Sequence, residues 1–140
     1  MSELADPTRA RAIREAYVSG AVLAFADELA NYEENDKSPQ FEFVRHLRNA
    51  ISHGNRFNLP KKACKRLEEH PAFLFRANGS LSHRIKPKLD GKKCLGKFID
   101  IPSVFEALDA ANLRVQEIEM DMEPNEPLSR AEFIARNSRG

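Results

Sequence analysis

Apolar residues recur at helical spacing over three long stretches of the chain and at strand spacing over one short stretch. Asp6 before Pro7 reads as an N-cap followed by proline at the first helical position, and good helix formers continue to about Glu34. Along this stretch Ile13, Tyr17, Ala21 and Ala24 lie on one side, and Val18, Val22, Phe25, Leu29 and Tyr32 on another. Coverage this broad predicts a central helix, or one whose outer side is buried by a second chain. Ser38-Pro39 repeats the cap-plus-proline signal and opens a helix to Gly54. Its Phe43, Val44, Leu47, Ala50 and Ile51 gather on one side, while Glu42, Arg45, His46, Arg48, Asn49, Ser52 and His53 take the other. Lys61 to Arg66 suits a helical turn or two.

The period then changes. Ala72–Ala77 and Ser80–Ile85 flank Asn78-Gly79, a pair suited to a two-residue type I′ turn, so a β-hairpin is predicted, with Lys97–Ile101 as a third short strand. Phe73 and Phe75 share one strand face and read as anchors onto the helices, with base stacking as the alternative. Ser103 and Glu106 fit a capping box for a helix over 103–123, carried by Val104, Leu108, Ala111, Val115, Ile118 and Met122. A short capped tail helix is expected over about 130–137, anchored by Phe133 and Ile134. The expected fold is a mainly α single domain spanning 1–140, a helical bundle with a small hairpin or three-stranded insertion over about 71–101.

Composition changes this picture little. The chain has 140 residues, 41% hydrophobic and 31% charged, an ordinary globular balance with room for one core. Its net charge of +1 conceals an asymmetry: Arg84, Lys86, Lys88, Lys92, Lys93 and Lys97 cluster around the single acid Asp90, whereas acids dominate from Asp100 to Glu132. Such a cluster gives a near-neutral protein a local surface for a polyanion. Cys64 and Cys94 lack metal-type spacing, and the chain opens on acids and small residues, so a reducing cytoplasm is the expected setting. The longest apolar run, Ala21 to Ala26, is too short to span a membrane. No Gly-rich phosphate loop, nucleophile elbow or paired-cysteine motif is present, and neither a cofactor nor a metal is expected.

The chemistry concentrates at the end of the second helix, in Arg45-His46-Leu47-Arg48-Asn49-Ala50-Ile51-Ser52-His53-Gly54. Arg45, Asn49 and His53 are four apart and form one row; Arg48 and Ser52 form the neighbouring row. A histidine suits proton transfer near neutral pH, and an arginine fork suits charge developing on an anionic group.

The Arg48-Asn49-x3-His53 segment resembles the Arg-x4-6-His motif of the HEPN superfamily, and the arrangement of a long helix, a motif helix and a later long helix is similar to its bundle. The resemblance covers about residues 7–57 and 102–123 and leaves about 60–101 unexplained. It implies a metal-independent endoribonuclease with a composite site at a homodimer interface, Arg48 and His53 as the catalytic pair, and Asn49 positioning one of them or the RNA. Arg45, His46, Ser52, Lys86, Lys88, Lys92 and Lys93 are the candidate RNA-binding residues, with Arg45 open also to a surface pair with Glu42. A toxin or defence role with an antitoxin or other inhibitory partner is a further implication. The alternatives are a non-catalytic module binding RNA or protein through the same face, and a structural helical dimer in which these cations only terminate a helix.

Overall fold

The computed structural model describes residues 6–121. Helix α1 spans Pro7–Glu33. The Asp6 carboxylate accepts the backbone N–H groups of Thr8 and Arg9 at 3.0 and 3.3 Å, satisfying donors that the first turn leaves free. At the far end the Lys37 ammonium donates to the carbonyls of Glu33 and Glu34. The buried stripe is Val18, Val22, Ala26 and Leu29. Ile13 is 63% exposed and Tyr17 78% exposed, so among the described residues only one side of α1 is covered.

Helix α2, Pro39–Ser52, is the central one. Phe41, Phe43, Val44, Leu47 and Ala50 are buried, but so are Glu42 and His46, so that its first half is enclosed nearly all round. Its proline start is as expected, while the Ser38 hydroxyl makes no capping bond. Instead Asp36 accepts the Ser38 N–H at 2.9 Å and also receives the Arg114 guanidinium at 2.6 and 3.0 Å, fastening the α1–α2 turn to the last helix. The helix ends two residues earlier than predicted because Gly54 and Asn55 both adopt left-handed backbone, at φ 74° and 62°. Asn55 tolerates this position with its side chain clasping the Leu95 backbone, accepting its N–H at 2.8 Å and donating to its carbonyl at 3.1 Å.

Helix α3, Lys61–Glu69, is longer than the turn or two expected and buries Leu67. Strands β1 (Phe73–Phe75) and β2 (Leu81–Arg84) form the antiparallel hairpin, with Leu74 opposite His83 and a bulge between Leu74 and Phe75. The type I′ turn does not form. Asn78 does not take a positive φ; a turn closed by the Gly79 N–H to the Arg76 carbonyl at 2.8 Å leads into Gly79 at φ 87°. The anchoring role assigned to Phe73 and Phe75 falls instead to Leu74, which is buried while Phe75 is 53% exposed. Phe73 is half-buried beneath the Arg84 guanidinium, which lies 4.9 Å from its ring centroid, and with Phe75 it lines an open cleft against Pro39, Gln40 and Asp109.

No third strand forms among the described residues: Phe98 and Ile99 donate to the Cys94 carbonyl at 3.0 and 3.1 Å, which folds 94–99 into a tight loop through Gly96 at φ 90°. A 3₁₀ turn, Pro87–Leu89, interrupts the basic segment. Helix α4, Ile101–Asp121, begins before the Ser103–Glu106 box. Asp100 caps it, accepting the Ser103 N–H at 3.0 Å, and those hydrogen bonds hold its carboxyl below the usual range. Val104, Ala107, Leu108, Ala111 and Met120 face the core. The Tyr32 hydroxyl donates to Glu119 at 2.7 Å, joining α1 to α4. The fold is thus mainly helical with a two-stranded hairpin, and none of the described helices is long and apolar enough to cross a membrane. The expected tail helix and Met122 lie outside the described residues.

Candidate functional site: a cationic groove between α2 and α3

The row Arg45, Asn49 and His53 forms one wall of an open groove of about 580 Å³. Helix α3 and the segment before it form the other, through Asn58, Lys62, Lys65, Arg66, Glu69 and His70. Sequence patterning does not reveal this second wall. Its signal is the Lys61–Arg66 run, but nothing local shows that α3 lies across the end of α2.

The α3 wall is fixed by a buried ion pair. Arg66 Nε and Nη2 donate to the two Glu42 carboxylate oxygens at 2.6 and 2.9 Å, a bidentate arrangement on a carboxylate that is fully buried. That contact raises the already high Arg66 pKa. Glu42 therefore does not pair with Arg45 on the surface, and Arg45 stays on the groove wall. Glu33 lies behind the same cluster; burial pushes its carboxyl up, and the charges of Arg45 and Arg66 oppose that shift.

Helical spacing predicts His46 beside His53 on the exposed face, and the structure corrects this. His46 is 2% exposed, and burial pushes its imidazole down to about 4, with Arg45 lowering it further against the opposing pull of Glu42. It is therefore a neutral core group at ordinary pH and has no access to RNA. His53 is the exposed residue that caps α2, its N–H donating to the carbonyls of Asn49 and Ala50. Ser52 is exposed but does not line the groove.

Arg48 is not brought into the groove either. It sits on the neighbouring ridge, where Nη2 meets Asp27 of α1 at 3.0 Å; Asp27 is largely in solvent, whereas Arg48 is half-buried and its Nε is shut away from water. Residues 48 and 53 are five apart, about 140° around a helix, which puts them on different ridges.

His70 lines the groove together with His53. Glu42 and His53 are separated by about 16 Å along the helix.

The basic loop adjoins this groove. Asp90 accepts the Leu59 N–H at 2.8 Å, Phe57 donates to the Lys92 carbonyl at 2.9 Å and Gly91 donates to the Phe57 carbonyl at 2.7 Å. These bonds hold the loop against the segment leading into α3, where Pro87 shares a second cleft with Lys61, Lys62 and Lys65. Lys86, Lys88, Lys92 and Lys93 are all exposed, and Lys93 lies 3.9 Å from Glu15.

Other chemistries find less support. The Cys94 thiol is pushed by burial up to about 12, which leaves it without nucleophilic thiolate near neutral pH. Among the described residues no group of three or more His, Cys, Asp or Glu could hold a metal ion. No family model, curated protein or solved structure matches the chain.

Proposed function

We propose that the chain is a metal-independent endoribonuclease of the HEPN type, acting on RNA held in the α2–α3 groove. The observation that carries this reading is the alignment of Arg45, Asn49 and His53 along one wall, facing Lys62, Lys65 and Arg66 on the other. Such a groove concentrates positive charge where a phosphodiester backbone can lie. His53 is the exposed imidazole of that row and supplies proton-transfer chemistry.

In the proposed reaction neutral His53 takes the proton of a 2′-hydroxyl, whose oxygen attacks the adjacent phosphorus. The P–O5′ bond breaks, a 2′,3′-cyclic phosphate forms and the 5′-oxygen is protonated by a second imidazolium. Arg45 and Asn49 donate hydrogen bonds to non-bridging oxygens as charge builds there. The second imidazolium is assigned to His53 of a second copy, the composite arrangement that the HEPN resemblance implies. The exposed Ile13 and Tyr17 on α1 offer an apolar surface for that association. Arg48 enters the chemistry by exchanging Asp27 for phosphate, a small step because an exposed pair is worth only about 0–1 kcal/mol.

The second reading, a non-catalytic RNA-binding module, is favoured by the engagement of Arg48 with Asp27. One experiment separates the two: purified protein is incubated with single-stranded and structured RNA in excess chelator, beside His53→Ala and a DNA control. Cleavage by wild type alone, leaving cyclic phosphate or its hydrolysis product, supports the nuclease. Binding without cleavage moves the reading to the module, and cleavage that requires metal or persists in His53→Ala discards the mechanism.

A further inference from the structure

The Glu42–Arg66 pair has an ordinary explanation, since a buried carboxylate needs a cation and this one ties α3 to α2. That explanation does not account for which edge of the guanidinium is used. Glu42 takes one hydrogen from Nε and one from Nη2. Of the five N–H groups of an arginine, three then remain, on Nη1 and the outer side of Nη2. That outer edge is the fork that matches two phosphate oxygens. The side chain is 27% exposed, it lines the groove, and Glu42 is its one hydrogen-bonding partner among the described residues.

We propose that Arg66 is a phosphate ligand of the groove, and that Glu42 is the positioning residue that aims its free edge at the RNA backbone. The inference rests on the proposed RNA-binding role of the groove and adds a subsite to it. Arg66 lies opposite the Glu42 end of α2, whereas His53 lies at the other end, about 16 Å away along the helix. The phosphate held by Arg66 is therefore not the one cleaved but one further along the same strand, and the groove reads the backbone of a single-stranded segment several nucleotides long. A fixed guanidinium suits this task because its rotamer freedom is already lost to Glu42, so less is lost on binding. Glu69 and Glu33 are the opposing charges: both favour the Arg66 cation, and Glu69 shares the groove, so it weakens but does not cancel the attraction for phosphate.

The test uses a fully 2′-O-methylated oligoribonucleotide, which lacks the nucleophile and so reports binding alone, with Kd measured by fluorescence anisotropy across a salt series. Because Arg66→Gln by itself strands a buried carboxylate, the principal variant is the double Glu42→Gln/Arg66→Gln, with Arg66→Lys as a milder second. Asp36→Asn/Arg114→Gln, which removes a separate ion pair away from the groove, controls for the loss of such a pair as a purely structural effect. The double variant is expected to bind about tenfold more weakly, with the slope of log Kd against log salt reduced by about one. Arg66→Lys should keep most of the slope yet lose several-fold in affinity, since a point charge replaces the fork. A purely structural role moves the melting temperature and leaves the affinity and slope of the folded protein unchanged; that result overturns the proposal while leaving the RNA reading intact. Failure of the wild type to bind the oligonucleotide sinks both.

Discussion

The two ends of α2 carry the same kinds of residue and use them in opposite ways. At the Glu42–His46 end a carboxylate and an imidazole are shut away from water, the first paired with Arg66 and the second held neutral by burial. At the Asn49–His53 end an amide and an imidazole face an open groove. Two histidines seven residues apart on one helix thus serve different purposes, and what separates them is packing, which buries His46 and leaves His53 exposed on the groove. A polar residue becomes a site or a piece of core according to what packs over it, not according to its type.

The largest expected effect comes from the open end. His53→Ala should lower the rate of RNA cleavage by a factor of about 10² to 10⁴, the usual contribution of a positioned acid or base, while its stability to urea stays within about 0.5 kcal/mol of wild type. A matching loss of stability would place His53 with the structural residues.

The buried end should show the reverse. His46→Ala should destabilise by about 2–4 kcal/mol through the cavity it leaves, with cleavage per folded molecule unchanged. The pH dependence has a definite sign. The imidazole protonates near 6.5 when unfolded but only at about 4 when folded, so between these values the unfolded state binds more protons and stability falls as pH is lowered. The loss amounts to at most about 3 kcal/mol and levels off below about 4. Glu33, with its raised carboxyl, works in the opposite sense at the acid side. The measurement is therefore the difference between urea titrations of wild type and His46→Leu from pH 7 to 4, and parallel curves would show that His46 does not drive the acid sensitivity.

The ridge between the two ends gives a smaller effect that discriminates more sharply. Arg45→Ala should weaken RNA binding about tenfold, the scale of one charge-assisted contact, whereas Arg48→Ala should change stability by less than about 1 kcal/mol because its partner Asp27 is exposed. Should Arg48→Ala abolish cleavage with binding intact, Arg48 has left Asp27 for the reacting phosphate. Should it cleave like wild type, the arginine that serves the reaction is Arg45. The smallest expected effects are those of Lys86→Ala, Lys88→Ala and Lys92→Ala, each lowering affinity a few-fold and the salt slope by no more than about one, read from binding isotherms at several salt concentrations.

Much of the architecture is legible in the sequence because its causes are local. Asp6 caps α1, and Pro7 and Pro39 sit at helix starts, all acting within four residues, so α1 and α2 begin where expected. The row Arg45, Asn49, His53 is likewise a consequence of helical pitch alone. The boundaries that moved did so through other partners: Asp100 rather than Ser103 caps α4, and Cys94 receives the hydrogen bonds that would have gone to a third strand.

Local patterning thus dictates a mainly helical chain with a hairpin and a helix presenting two adjacent polar rows. Packing alone settles that α2 and not α1 is central, that His46 is buried, that Arg48 meets Asp27, and that α3 supplies the second wall of the groove. The reason is one of range: pitch, capping and turn chemistry act over a few residues and can be read from neighbours, whereas burial and ion pairing depend on which distant surfaces meet. Glu42 and Arg66, twenty-four positions apart, carry no mark in the sequence that they will share one buried contact.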